Sequence, residues 1–409
     1  MMDLFFDLAG YEFKKILCRK RTVIVLAFVV LISALSVFGT IIGNYYYTDE
    51  NGNEVVTSRY DEEMIDRKYG EELSGRVIDA DLIMEAVEAY KQVLLSGDRH
   101  YADTEGYLNN ARKYSEIYNI VRSTLDLRGV EDFQNLTREQ AEQFDQIRRE
   151  NREYVIENSA ISKNMRAYWQ KCLDESPKTL TYKYSGGYYR FVVIMYTTAI
   201  MAGAAIAIII SGIFSEEYTS GADSLILSSK HGKGIVIGAK LFAAFVISAA
   251  LIILLTAINY AETMMVWGSS GADGQLVLLG DIYPYNITIG QGALLYSLCA
   301  LAACIFFAAI TSMLSALFKT PFNTIVIMAI LLIVPMFISV PDEAPIWVFC
   351  LENLLPTNMM AFWGAMYEYQ YEILGLIIPP YVFIPIFAAV GSCICVYFAY
   401  QAFRKHQIS

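Results

Sequence analysis

The chain has 409 residues, 55% of them hydrophobic, with 42 acidic against 31 basic side chains and a formal net charge of −11. No concentrated basic surface accompanies that acidic balance, which excludes a nucleic-acid binder. Seven cysteines lie scattered without metal-ligand spacing, and only Cys172 and Cys350 are candidates for a disulfide.

Residues 1–21 alternate Leu4, Phe5, Leu8, Tyr11, Ile16 and Leu17 with Asp7, Glu12, Lys14, Lys15 and Lys20. The pattern predicts an amphipathic helix lying in a membrane interface. Next comes the first of six apolar stretches, 22–43, 191–215, 241–261, 282–318, 320–341 and 373–403, none containing Asp, Glu, Lys, Arg or His. Each exceeds the roughly 20 helical residues needed to cross a hydrocarbon core. A charge near the bilayer centre costs about 3 kcal/mol even on the mildest scale, so its absence from all six is informative. We expect an all-α polytopic membrane protein with spans at 22–43, 191–213, 240–260, 290–318, 321–341 and 379–403.

Residues 44–190, between the first two spans, form the large outer domain. Leu82, Ile83, Ala86, Tyr90, Val93 and Leu94 make a helical stripe, and Tyr107, Ala111, Tyr114, Tyr118, Val121 and Leu125 make another. Thr137 and Gln140 read as a capping box. It opens a helix whose seam runs Phe144, Ile147, Asn151, Tyr154, Asn158, Ile161, Met165, Tyr168 and Cys172. Unbroken, that helix would span about 50 Å, with Asn151 and Asn158 as polar register-setters. No alternating strand pattern reaches useful length, so a helical bundle is expected.

The loop 214–239 begins with Glu216, Glu217 and Asp223, continues through Leu225 and Leu227, and ends with Lys230 and Lys233. Carboxylates at its start and lysines past its end match the dipole of a short helix. The later loops, 261–289 and 342–378, carry eight acidic residues, Glu262, Asp273, Asp281, Asp342, Glu343, Glu352, Glu368 and Glu372, and no basic one. Eleven Lys and Arg instead lie at 14–21, 230–240, 319 and 404–405. That asymmetry places both termini, the tail 404–409 and the 214–239 loop in the cytoplasm. The other twenty fall in the outer domain, which crosses regardless of charge. Aromatics such as Tyr45, Tyr188, Tyr283, Trp347 and Trp363 gather at the opposite boundary.

The three histidines, His100, His231 and His406, all lie outside the spans, and no phosphate loop occurs. About fifty cytoplasmic residues leave no room for a nucleotide-binding domain. Energy for any work must therefore come from a partner.

Several features together resemble a permease subunit of the ABC-2 type of ATP-binding-cassette exporters. These are the basic amphipathic N-terminus, Phe214-x-x-Glu217-x-x-x-Gly221 continuing through Leu225 and Leu227 to Lys233 and Lys240, Ala309-x-x-Ser312-x-x-Ser315-x-x-Phe318-Lys319, and Leu354-Leu355-Pro356. Ser229 stands where many relatives have proline. The resemblance implies a bacterial cell-membrane subunit that pairs with a second copy or a homologous permease and docks an ATPase subunit. The chain itself would bind no cofactor; ATP and Mg would sit on that ATPase. It implies a coupling surface built from Glu216, Glu217, Gly221, Asp223, Leu225, Leu227, Lys230 and Lys233, with Phe5, Leu8, Glu12, Lys14 and Lys15 on the interfacial helix. It also leaves 341–372 as either re-entrant helices or an interfacial loop. Two functions follow: export of an amphiphilic peptide, lipid or drug, or a sensor whose outer domain binds a ligand without transport.

Overall fold

Helix α1 (Met2–Leu17) is followed by α2 (Lys20–Ile41), which leads into an insert over residues 44–185. The insert opens with an antiparallel hairpin, β1 (Asn44–Thr48) and β2 (Glu54–Ser58), that pairs Tyr46 with Val56. Helices α3 (Arg59–Leu73), α4 (Ala80–Lys91), α5 (Ser115–Thr124), α6 (Val130–Gln134), α7 (Arg138–Glu142), α8 (Phe144–Asn158) and α9 (Lys163–Glu175) follow. This computed structural model describes residues 2–93, 101–280, 284–341 and 343–406. Leu94, His100, Asp281, Tyr283 and Asp342 lie outside them.

The two helical stripes supply the insert's core, although the second winds through a π turn, Tyr107–Ala111, and a 3-10 turn, Arg112–Tyr114, before α5 begins. Leu82, Ile83, Ala86 and Tyr90 of α4 pack against Ile117, Tyr118 and Val121 of α5, with Phe133, Phe144 and Tyr182 closing over them. Arg112 is buried in this core; its guanidinium contacts the carboxylate of Glu62 and donates to Asp66 at 2.6 Å. A buried charge without such partners would be strongly destabilising.

Two expectations fail in the insert. The fold is not purely helical, because β1–β2 forms, as does a second hairpin near the C-terminus described below. Val55, Val56 and Thr57 are β-branched and face Tyr45–Tyr47, a pairing favoured in sheets, and the turn is set by Gly52 at φ +82°. The 50 Å helix is also absent. The Thr137–Gln140 capping box forms, but it opens the five-residue α7. Residues 159–162 then break the remainder into α8 and α9, with Ser162 capping α9 through Met165 N. Asn158 bonds its own helix at Tyr154 O instead of setting a register, whereas Asn151 reaches across to Thr124 O at 2.8 Å. The buried positions become Ile156, Met165, Trp169 and Leu173, and Tyr154 is exposed.

Beyond the insert the chain forms a bundle. It comprises α10 (Gly186–Ile210), α11 (Ser215–Ser220), α12 (Ala222–Ser228), α13 (Ile235–Trp267), α14 (Ile289–Leu317), α15 (Pro321–Ile333), α16 (Ile346–Glu352), α17 (Pro356–Met359) and α18 (Phe362–Ala365). The hairpin β3 (Tyr371–Ile373) and β4 (Leu376–Ile378) precedes α19 (Pro380–Arg404). Among the described residues five helices, α2, α10, α13, α14 and α19, are long and apolar enough to cross a membrane. The helix of the fifth apolar stretch is shorter: α15 passes into a 3-10 turn, Val334–Phe337, at Pro335. Proline lacks the N–H that a continuing α-helix requires.

Small residues on α10, including Ala199, Ala202, Gly203 and Ala205, are fully buried and allow close helix approach. Residues 353–366 fold back into the bundle. Thr357 Oγ1 donates to Leu332 O at 2.6 Å, and Tyr296 OH donates to Met360 O at 3.0 Å. Met359, Met360 and Met366 are buried beside them.

The insert is fixed to one end of the bundle. Glu63 of α3 accepts from Arg190 of α10 and from Trp267 Nε1 of α13, and Arg190 lies 5.2 Å from the centre of the Trp267 ring. Arg67 donates to Val266 O at 3.0 Å. The opposite end holds α1, α11, α12 and the last turn of α19.

Candidate functional site

The end of the bundle opposite the insert gathers most of the residues singled out by sequence. α1 lies along α13, where Phe5 and Phe13 meet the Phe242 ring at 5.6 and 6.2 Å. Of the expected interfacial residues, Phe5, Leu8 and Glu12 are half-buried, while Lys14 and Lys15 are exposed.

The loop is not one short helix. α11 and α12 are separated by Gly221, which sits in the left-handed region at φ +71°. Any side chain there would be strained, so glycine permits the sharp change of direction. α11 is anchored from below: Ser315 Oγ accepts from the N–H groups of Phe214 and Ser215 at 3.1 and 3.2 Å and donates to Ser211 O at 2.6 Å. Tyr218 OH donates to Ala316 O at 2.9 Å. The serine of the 309–319 pattern thus joins the end of α14 to the loop.

Glu217 lies at the centre of an ion cluster. Its side chain is 4% exposed and contacts two ammonium groups, Lys15 on α1 and Lys240 on α13, the latter at 2.6 Å. Lys240 is completely buried and holds a second carboxylate, Glu12, at 2.9 Å. Two positive and two negative charges therefore balance across three elements. Neighbouring Glu216 meets Arg19 at 2.9 Å and Arg21 at 3.0 Å, binding the loop to the α1–α2 turn. Such pairing offsets the several kcal/mol that each isolated buried ion would cost.

Asp223 is also buried, with His406 of the tail 3.4 Å away. The His406 ring stacks on Tyr218 at 4.1 Å, and Phe403 packs against Phe214 and Tyr218. Tyr400 OH donates to Lys233 O. Leu227 is buried in the core, while Leu225 is 75% exposed on the loop's outer face beside the exposed Lys230 and Lys233.

The structure thus divides the expected coupling residues. Glu216, Glu217, Asp223 and Leu227 join with Glu12 and Lys15 in holding the loop, whereas Gly221, Leu225, Lys230 and Lys233 face out. The sequence reads Arg19, Arg21 and Lys240 as topology determinants, Lys240 also as the end of the loop motif, and His406 only as a histidine outside the spans; the structure brings all four into this assembly. The readable signal was Lys240. A lone cation at the edge of an apolar run requires an acid nearby.

No curated protein matches this chain, and no solved structure does. A family model described as "ABC-2 family transporter protein" matches residues 7–341, from within α1 through the whole ion cluster to the end of the fifth apolar stretch. The resemblance carried by the loop motifs is therefore confirmed, and the chain belongs to the ABC-2 transporter family, as a multi-pass membrane protein of the permease type.

Proposed function

We propose that this chain is the transmembrane subunit of an ATP-driven exporter, with α12 as the surface on which a separate ATPase docks. The ion cluster carries this reading. Glu217, Lys240, Lys15 and Glu12 join α1, the α11–α12 loop and α13, so a push on α12 reaches two other helices. The exposed Leu225, with Lys230 and Lys233 beside it, provides an apolar contact with a basic rim. ATP and Mg belong to the partner, and a second permease copy or homologue completes the path.

The charge asymmetry puts this face in the cytoplasm and the insert outside. The Pro321–Phe337 segment then acts as the remaining crossing, fifth in chain order. Thirteen α-helical residues and a four-residue 3-10 turn reach about 27 Å, close to the hydrocarbon thickness. One observation supports the alternative, a sensor without transport: the insert is bound firmly to α10 and α13, so an event on it would be felt in the bundle.

Orientation is tested by single cysteines in a chain whose seven native cysteines are replaced. Both Ser270 and Ser229 are exposed. A cysteine at Ser270 should react with an impermeant maleimide on intact cells, and one at Ser229 only after permeabilisation. Reaction at Ser229 in intact cells would refute the orientation.

Transport is separated from sensing by reconstituting the complex in proteoliposomes. Substrate-stimulated ATP hydrolysis with net outward movement supports export; stimulation with no movement supports the sensor. The purified chain alone should hydrolyse no ATP, and activity surviving stringent purification would contradict the need for a partner.

A further inference from the structure

A cleft of about 450 Å³ lies between the crossing helices α13 and α14, with Tyr188 and Phe191 of α10 also lining it. Its lining is predominantly apolar, and none of its described lining residues is charged. The hydroxyls of Thr256 and Ser297 donate within their own helices, to Ile252 O at 2.7 Å and Ala293 O at 2.8 Å. Ile253, Leu294 and Leu298 line the cleft and are exposed on the bundle surface, so it opens sideways rather than into the core. The small side chains of Ala257 and Ser297 leave space that larger ones would fill.

Depth identifies the part of the membrane that this cleft meets. Tyr260 lies at its insert-side end, twenty residues along α13 from Lys240 and therefore about 30 Å away. That distance equals the hydrocarbon thickness, roughly 30 Å, which puts Tyr260 at the boundary on the insert side. Along α14 the lining runs from Gly290 to Leu301, a rise of about 16 Å. One leaflet contributes about half of the core, close to the same length. A cleft of this volume and length has a mean cross-section of roughly 30 Å², less than half that of an α-helix about 10 Å across.

At the boundary, the Tyr260 ring packs against Tyr188 and Phe191 at 6.2 and 5.6 Å, and the two tyrosine hydroxyls lie 3.3 Å apart. That contact uses one O–H proton of the pair and leaves the other for an acceptor such as an ester oxygen. Deeper in the cleft no water is present to fill it, and an empty groove would forfeit dispersion contacts along its walls.

We propose that this cleft holds one acyl chain of a phospholipid from the leaflet on the insert side, its ester end near Tyr260 and its methyl end near Leu301. The occupant joins α13, which carries Lys240 of the ion cluster, to α14, which carries Ser315 beneath the loop. The assignment depends neither on ATPase docking nor on which face is cytoplasmic, because the insert itself marks the leaflet. Its failure would leave the export reading untouched.

The full chain is reconstituted in phosphatidylcholine vesicles containing a phosphatidylcholine probe. The probe carries a diazirine in one acyl chain, either beside the ester or near the terminal methyl. After irradiation, the ester-side probe should mark residues around Tyr260 and Gly290, and the methyl-side probe residues around Ile252 and Leu301. Ala257→Phe and Ser297→Leu, which fill the cleft, should each lower this labelling at least tenfold. Ala250→Phe adds the same bulk to an exposed position of α13 outside the cleft and should leave it unchanged. Labelling spread evenly over the exposed residues of α13 and α14 would reveal an ordinary lipid shell and overturn the proposal. So would the reverse order of the two probes, labelling retained in both filled variants, or no labelling because a second copy of the chain covers the cleft. The order of the probes on the unmodified chain decides the matter even if a filled variant misfolds.

Discussion

Glu217→Ala should lower the thermal midpoint of the purified protein and uncouple it from its ATPase. The substitution strips Lys240, which has no solvent access, of its 2.6 Å partner and leaves it with Glu12 alone. Removing one member of a buried pair costs roughly 3–5 kcal/mol. The surviving Glu12 contact should keep the loss near the lower end of that range. Lys15 also loses its anion, but it is half in solvent and contributes little.

The paired variant Glu217→Ala/Lys240→Met separates charge from packing. Replacing both ions by neutral groups is often close to neutral for stability. The double variant should therefore regain most of the lost midpoint while the response of the partner's ATPase activity to substrate stays low. Recovery of that response along with stability would show that the cluster is only a packing device. An unchanged midpoint in Glu217→Ala would contradict the burial described above.

Gly271→Val should disrupt the seat of the insert. Gly271 has φ +83°, a conformation that costs a side chain about 1–2 kcal/mol by itself. An added Cβ would also come within 2.2 Å of Tyr184 O, a backbone atom that cannot rotate away. The insert would be forced off the loop that follows α13. Gly52→Val supplies the control, with a similar φ of +82° and open space around its Cβ. The Gly271 variant should unfold at a lower temperature than the Gly52 variant and show greater protease sensitivity near residue 185. Equal behaviour would mean that the joint tolerates displacement.

The readable and unreadable parts of this chain differ in physical origin. The long helices were visible because a membrane span must be apolar along its whole length, a constraint no local contact can override. The α4 and α5 stripes were visible because helical periodicity places Leu82, Ile83, Ala86 and Tyr90 on one buried face. The α8–α9 break was hidden. The Phe144–Cys172 heptads continue through 159–162, and the chain turns there so that Trp169 can donate to Gln370 Oε1, 201 positions away. The β1–β2 hairpin was missed because its tyrosines also suit a membrane boundary. At the site, the acids of the loop were legible as a motif, but their partners were not. Lys15, Lys240, Arg19 and His406 come from three distant segments, and only folding shows which cation meets which carboxylate.

The central claim is that the outer face of α12 receives an ATPase. A photo-crosslinking amino acid at Leu225, 75% exposed and outside the ion cluster, tests it without disturbing the buried charges. After irradiation of intact cells, the adduct should contain an ATP-binding-cassette subunit, identified by mass spectrometry. The same probe at Ser270, at the opposite end of the bundle, should capture none. No ATPase at Leu225, or capture of one at Ser270, would contradict the account.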